Sequence, residues 1–440
     1  MPDLVSIDYL VSPGGILNGD IRVPGDKSIS HRALMLGAIA IGETRVDGFL
    51  QGEDTLATLA AFQSMGVKIQ RNNDCLTIQG VGLLGLQPPA AALDLGNSGT
   101  SARLMAGLLA GQAFDCSITG DASLRQRPMQ RIIEPLLKMG AVISAGPQGK
   151  LPLQIRGGRK LSGINYTLPV ASAQLKSCLL LAGLYADGKT CINEPVLTRD
   201  HTERMLETFA VKLERQDRQI CVAGGATPIA TRVFVPADLS SAAFFLVGAS
   251  IAEGSDITLT RVGINPTRNA VIEILCQMGA DISLINVSEV SGEPLADIRV
   301  RSSALKGIDI PENKVAIAID EFPAILVAAA NARGVTRVRG AVELRVKESD
   351  RIAAMASGLR ALGIVVKTKD DGIDVTGGQL TGGTVESFGD HRIAMAFAMA
   401  GLRASGPVRI HDCGNVDTSF PGFPDLAAEG GLLIEVITDD

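Results

Sequence analysis

A short phrase recurs six times along this chain and dictates most of what it can fold into. Each copy opens on a small polar residue or Gly, continues through a nearly unbroken apolar segment and closes on Gly. The copies are PGDKSISHRALMLGAIAIG at 24–42, then 98–111, 172–188, 238–254, 320–334 and 389–406. Ser, Asp or Gly at the start can cap the free amides of a helix, and Gly at the end tolerates the left-handed exit, so each phrase predicts a helix. A short alternating run follows each closing Gly, as at 44–46, 190–192 and 408–410, and predicts a strand.

A second phrase falls between these helices: FQSMGVKI at 62–69, LLKMGAVI at 136–143, LETFAVKL at 206–213, LCQMGADI at 275–282, LRALGIVV at 359–366 and a degenerate AEGGLLIEV at 428–436. It reads as the end of a second helix entering a strand. The unit is therefore βαβαββ, with a period of about 70 residues, longer than solenoid repeats, so each copy should fold as a small subdomain. The fold class expected is α/β, with two similar three-repeat domains at 24–236 and 237–440. Residues 4–23 read as two strands around a SerProGlyGly turn at 12–15. With no repeat of their own, residues 1–23 are assigned to the second domain, which makes two chain crossovers and a hinge.

A helix that is apolar all round must be buried, which leaves only its N-terminal end to meet a ligand. That end offers unpaired amides and partial positive charge, suited to phosphate or carboxylate. The chain's unusual polar residues sit at these ends: Lys27, Ser28 and Arg32; Asn97, Ser98, Gly99, Thr100 and Arg103; Ser172, Ala173, Gln174 and Lys176; Asp320 and Glu321; Asp390, His391 and Arg392. Two further clusters are the loop DASLRQRPMQR, with Arg125, Arg127 and Arg131, and LRVKESDRIAAM, with Arg345, Lys347, Glu348, Asp350 and Arg351. Taken singly, each has a bland reading as a capped turn or solvated helix entry. Lys27 and Arg32 are harder to dismiss, because cations at a helix start cost stability unless an anion binds there. Recurrence at equivalent repeat positions argues for one anion site.

Composition narrows the ligand. A net charge of −6 and no Trp exclude the basic, aromatic face that general nucleic-acid binding uses. Seven cysteines without a CxxC, and four histidines without paired spacing, predict no structural metal and suit a reducing compartment. Neither a signal-like start nor a membrane-length apolar stretch is present, so the cytoplasm is expected. GVGLLG at 80–85 matches a dinucleotide fingerprint but is followed by LeuGlnProPro where a helix is required, and reads as a loop.

In order along nearly the whole chain, PGDKS…HR, LGNSGT…R, SLxxRPM, SAQ, VKESDR and GDHR resemble the 5-enolpyruvylshikimate-3-phosphate synthase family. The resemblance implies the enolpyruvyl transferase fold, an inside-out α/β barrel, and transfer of an enolpyruvyl group from phosphoenolpyruvate to the 5-hydroxyl of shikimate 3-phosphate. It assigns Lys27, Ser28, Arg32, Ser172, Ala173, Gln174, Arg199, Asp320 and Lys347 to shikimate 3-phosphate. Lys27, Asn97, Gly99, Thr100, Arg127, Gln174, Arg351 and Arg392 fall to phosphoenolpyruvate. Asp320, Glu348 and Lys27 take the catalytic roles, with no metal or organic cofactor, no nucleic-acid or membrane partner, and a monomer.

Two departures stand out. Thr418 occupies the place where the family often has a Lys before its ThrPhePro, and Glu343 and the Arg199 region replace a common Asn and Tyr. SAQ, TRDHTE and LRVKESDR resemble a divergent bacterial subgroup. The family is inhibited by glyphosate at the phosphoenolpyruvate site, and some divergent members resist it by carrying Ala at the position of Gly99. One alternative is UDP-N-acetylglucosamine enolpyruvyl transferase, whose reactive Cys would lie where this chain has AlaSerLeuArgGlnArgPro, while Cys116 sits earlier in a predicted strand. Another is a non-catalytic anion-binding scaffold or a relative acting on RNA ends.

Overall fold

The computed structural model describes residues 7–438. What the sequence predicts for 1–6, including the first strand's start at residue 4, and for 439–440 lies outside the described residues. The six apolar phrases form helices Lys27–Ile39, Gly99–Ala110, Ala173–Gly183, Leu239–Ile251, Phe322–Ala330 and His391–Gly401. Every residue of Leu239–Ile251 and of Phe322–Ala330 is buried, as their all-round apolar sequence requires.

Each phrase is followed by the strands of a small open sheet. In the first repeat, Ile41–Asp47 pairs antiparallel with Cys75–Val81, which pairs antiparallel with Lys68–Asn72, while Arg232–Phe234 adds a parallel edge to Ile41–Asp47. Sheets of the same order are built on Cys116–Thr119, Lys189–Asn193, Asp256–Gly263 and Val408–His411. The fifth repeat has three strands, and parallel bridges Lys306↔Arg333 and Asp309↔Arg337 take the place of the fourth. Among the described residues the sheets stay open, and none closes into a barrel.

The SerProGlyGly turn does not make a hairpin. Ile7–Val11 enters the sixth repeat's sheet between Val408–His411 and Ile434–Thr438, where it supplies the strand that the last repeat lacks. Asn18–Ile21 pairs in parallel with Asp256–Gly263 in another sheet. Backbone contacts divide the described chain into two compact units, one of 25–235 with 289–293 and the other of the remaining described residues.

Each unit has its own apolar core, which its inner helices fill. Packing between them is close. A Cβ on Gly107 would lie 2.1 Å from the Cys178 carbonyl oxygen, so this crossing of Gly99–Ala110 and Ala173–Gly183 admits only glycine. Cys191 and Cys221, directly opposed on antiparallel strands, are joined by a disulfide, which an odd cysteine count did not suggest and which a reducing compartment would open.

Candidate active site

In the first unit, Asp26 caps the Lys27 helix by accepting from Ile29 N–H at 2.9 Å. The anion that a cation at this end requires is partly built in, because Lys27 pairs with the buried carboxylate of Asp54. His31, one turn on, joins three elements: Nδ1 lies 3.0 Å from Thr58 Oγ1 and 3.2 Å from Ser101 Oγ, and Ser98 Oγ lies 3.4 Å from Nε2. Burial, with Lys27 and Arg32 adding to it, holds His31 well below the ordinary imidazole range. A neutral ring therefore fixes the Lys27 helix against the Gly99 helix.

Around that second helix start the structure brings together most of the residues matched to phosphoenolpyruvate. Asn97 donates to Asp121 Oδ2 at 2.7 Å and accepts from Arg127, whose NH2 also reaches Ser123 Oγ at 3.3 Å. Arg103 NH1 donates to Gln174 Oε1 at 2.7 Å, and Gln174 donates onward to Thr100 Oγ1 at 3.0 Å. Gly99 sits between the two arginines. A Cβ there would stand 2.8 Å from Arg103 NH1 and 3.3 Å from Arg127 NH1.

Arg32 is more structural than the sequence implies. It is buried, with Nε on Thr202 Oγ1 at 2.6 Å, NH2 on Ser177 Oγ at 2.9 Å and NH1 on the Ser28 carbonyl at 2.9 Å. Desolvation lowers its pKa to about 10, still far above neutrality. Ser172 caps the helix Ala173–Gly183 by accepting from Leu175 N–H at 3.3 Å, and Arg199 lies in the loop that follows strand Lys189–Asn193.

In the second unit, Arg351 is the hub. Its side chain is 1 % exposed and contacts three carboxylates: Asp390 Oδ2 from Nε at 2.8 Å, Glu348 Oε2 from NH2 at 2.6 Å and Asp320 Oδ1 from NH1 at 3.5 Å. Burial opposes the charge, but Asp390 and Glu348 outweigh it and raise the guanidinium's pKa. Lys347 Nζ lies 3.4 Å from Asp320 Oδ1, and Arg392 NH1 donates to the Asp320 carbonyl at 3.1 Å. Thus Asp320, Lys347, Glu348, Arg351 and Arg392 gather although their sequence separations reach 72 residues.

Thr418 is buried at the end of a short 3-10 turn, Gly414–Thr418, where its hydroxyl donates to the Asn415 carbonyl at 2.7 Å. Asn415 in turn donates to the Gly389 carbonyl at 2.7 Å, so this turn props the start of the His391 helix. Cys116 is buried in a strand, and burial pushes its thiol up to about 12, which leaves no thiolate nucleophile at neutral pH. No local signal marks Asp54, Thr202 or Ser177 as partners of the expected site residues. Their side chains are common core and capping types, and only the repeat packing pairs them with the cations.

Two three-repeat α/β units whose inner helices begin in clustered cations and carboxylates define a protein built to act on small anions. The family model for EPSP synthase (3-phosphoshikimate 1-carboxyvinyltransferase) matches residues 11–426. The 3-phosphoshikimate 1-carboxyvinyltransferase of Methylococcus capsulatus is 61 % identical over 97 % of this chain and 98 % of its own length. That of Alkalilimnicola ehrlichii is 60 % identical over 97 % and 96 %. The EPSP synthase structure from Acinetobacter baumannii superposes with a TM-score of 0.89 at 53 % identity, over 98 % of this chain and all of that one. With so much of the chain matched, it belongs to the EPSP synthase family.

Proposed function

We propose that the chain transfers the enolpyruvyl group of phosphoenolpyruvate to the 5-hydroxyl of shikimate 3-phosphate and releases inorganic phosphate, a step of aromatic amino acid and chorismate biosynthesis. What carries the division of labour is the cluster of Asp320, Lys347 and Glu348 around Arg351. Two carboxylates of different setting, beside cations, suit a reaction that moves protons next to phosphate.

In the addition step, the 5-hydroxyl oxygen bonds to C2 of phosphoenolpyruvate. Asp320 orients that hydroxyl and draws on its proton, while Glu348 delivers a proton to the C3 methylene and so forms a methyl. In the elimination step, Glu348 takes a proton back from the methyl as the C2–O bond to phosphate breaks, and phosphate leaves with the proton that the hydroxyl lost. The donor's phosphate and carboxylate fall to Lys27, Asn97, Gly99, Thr100, Arg127, Gln174, Arg351 and Arg392 in this reading. Ser28, Arg32, Ser172, Ala173, Gln174, Arg199 and Lys347 hold the acceptor, with Lys27 serving both. Arginine suits the planar anions, because its fork donates two hydrogen bonds to one carboxylate or phosphate. Arg32 and Arg351 also orient protein groups, since several of their donors are engaged by side chains of the protein.

Among the described residues no helix is long and apolar enough to cross a membrane. The enzyme acts as a cytoplasmic monomer in this reading, supported by an ordinary soluble composition and net charge. The deciding experiment is phosphate release from phosphoenolpyruvate with either shikimate 3-phosphate or UDP-N-acetylglucosamine as acceptor. Turnover is expected with the first alone; turnover with the second alone, or with neither, would overturn the assignment.

A further inference from the structure

Lys176 lies one helical turn below Ser172 and is 1 % exposed. A buried ammonium must be compensated by opposite charge and hydrogen bonds. Its Nζ lies 3.0 Å from Glu194 Oε2 and 2.6 Å from Glu203 Oε1, and it donates to the Thr198 carbonyl at 3.4 Å. Glu194 then turns its other oxygen to the same residue: Oε1 accepts from Thr198 N–H at 3.1 Å and from the Thr198 hydroxyl at 2.5 Å. Thr198 is gripped at its carbonyl, amide and hydroxyl.

The grip falls in the middle of a loop whose backbone is otherwise tied near its ends, where Glu194 N–H donates to the Arg218 carbonyl at 3.0 Å, the Pro195 carbonyl accepts from Arg218 NH1 at 2.6 Å and the Asp200 carbonyl accepts from Arg204 N–H at 3.0 Å. Residues 194–200 belong to neither helix nor strand, lying between strand Lys189–Asn193 and helix His201–Thr208. Arg199 is the next residue. The buried charges balance, because Arg32 sits beside Glu203 and is tied to the same helices through Thr202 and Ser177. Asp200 adds negative charge from the loop, and Glu293 is nearby but is taken up by His201 Nδ1 at 2.7 Å.

We propose that Lys176 is a positioning residue for the acceptor: through Glu194 and Thr198 it fixes the loop that carries Arg199, and so sets the affinity for shikimate 3-phosphate without reaching it. This rests on the reading of Arg199 as an acceptor contact. Removing the ammonium leaves Glu194 and Glu203 facing each other without their shared cation. Burial already pushes the Glu203 carboxyl up with Lys176 beside it, so without Lys176 it takes up a proton more readily in acid.

The test compares wild type, Lys176→Met and Thr198→Val. Thr198→Val removes one loop hydroxyl, leaves the helices intact and serves even if Lys176→Met fails to fold. Lys176→Met is expected to raise KM for shikimate 3-phosphate about tenfold, the scale of one lost charged hydrogen bond, and to change KM for phosphoenolpyruvate less than about twofold. The acceptor defect should shrink on acidification as Glu203 protonates, and the Thr198 amide should exchange its hydrogen faster without any ligand. Thr198→Val should shift the same KM in the same direction by less. Equal changes in both KM values, a defect that does not vary with pH, or unchanged exchange at Thr198 would overturn the proposal. A wild type that releases no phosphate overturns the functional assignment instead, and the exchange measurement still reports on the grip.

Discussion

Arg351 and Asp390 form an ion pair closed off from solvent, with Nε 2.8 Å from Oδ2, NH2 3.3 Å from Oδ1 and side chains 1 % and 0 % exposed. The same carboxylate accepts from Arg392 N–H at 3.0 Å, capping the His391 helix, and from Ser349 Oγ at 3.0 Å. One buried anion thus fixes two helix starts and orients the guanidinium that holds Glu348 and Asp320.

Breaking that pair should be costly. Asp390→Asn leaves a buried guanidinium short of its counter-charge, and a loss of about 3–5 kcal/mol is expected in chemical denaturation at pH 7. Burial would raise the Asp390 pKa, but Arg351 outweighs it and the net direction is down. A carboxylate depressed in the folded state stabilises above its unfolded value of about 3.9 and loses that contribution as pH falls through the folded value. The gap between wild type and variant should therefore narrow on acidification below about pH 4. A gap that is small at pH 7, or that widens in acid, would show the pair does not hold the site.

Lys27 has two duties, and only one was visible in the sequence. Read as a ligand-directed cation, its removal should leave the fold intact; paired with buried Asp54, it should not. Lys27→Met is expected to raise KM for phosphoenolpyruvate and also to destabilise the protein by about 1–3 kcal/mol, because a buried carboxylate loses its partner. Lys27→Met with Asp54→Asn should recover the stability and keep the kinetic defect. If the double variant regains both, Lys27 serves the fold alone.

The repeat structure was legible because each phrase carried its own start, stop and burial instructions. Capping residue, apolar run and Gly are local signals, and they found all six inner helices. The site was legible only as far as its residues stood at those starts. Asp54, Thr202 and Glu203 belong to the second helices of their repeats, and nothing local marks Asp54 as the partner of Lys27 or Glu203 as the partner of Lys176. Sheet completion also depends on pairing over long separations. Ile7–Val11 finds its place between strands near the other end of the chain, which hydrophobic alternation cannot specify.

Glu348 and Asp320 share Arg351 but should fail differently. Glu348→Gln keeps size and a hydrogen-bond acceptor toward Arg351 yet cannot cycle a proton, so kcat should fall about 10²–10⁴-fold while both KM values stay near wild type. Asp320→Ala removes hydroxyl activation together with a partner of Lys347, so kcat should fall and KM for shikimate 3-phosphate should rise. Steady-state kinetics with both substrates varied separates the two. Full turnover by Glu348→Gln would move the acid to another group, with His391 at the neighbouring helix start the next to test.

Gly99 sets the room at the start of its helix. A methyl there would stand 2.8 Å from Arg103 NH1 and 3.3 Å from Arg127 NH1, so one of two guanidiniums must give way. Arg103 is not free to move without cost, since NH1 donates to Gln174 and NH2 reaches the Pro128 carbonyl at 3.3 Å. Overpacking of this kind costs about 1–3 kcal/mol, enough for about tenfold discrimination between ligands of different length. Glyphosate is slightly longer than phosphoenolpyruvate. The wild type should therefore be inhibited competitively with phosphoenolpyruvate, and Gly99→Ala should raise the inhibition constant more than the KM. Thr418 offers a rival cause, because a Lys at that position would add a cation. Its side chain is buried and closes its own turn through the Asn415 carbonyl, so Thr418→Lys must first open the prop beneath Gly389 and should not increase inhibition. Titrating glyphosate against wild type, Gly99→Ala and Thr418→Lys decides between them: a resistant wild type made sensitive by Thr418→Lys would assign the effect to charge and not to the space that Gly99 leaves.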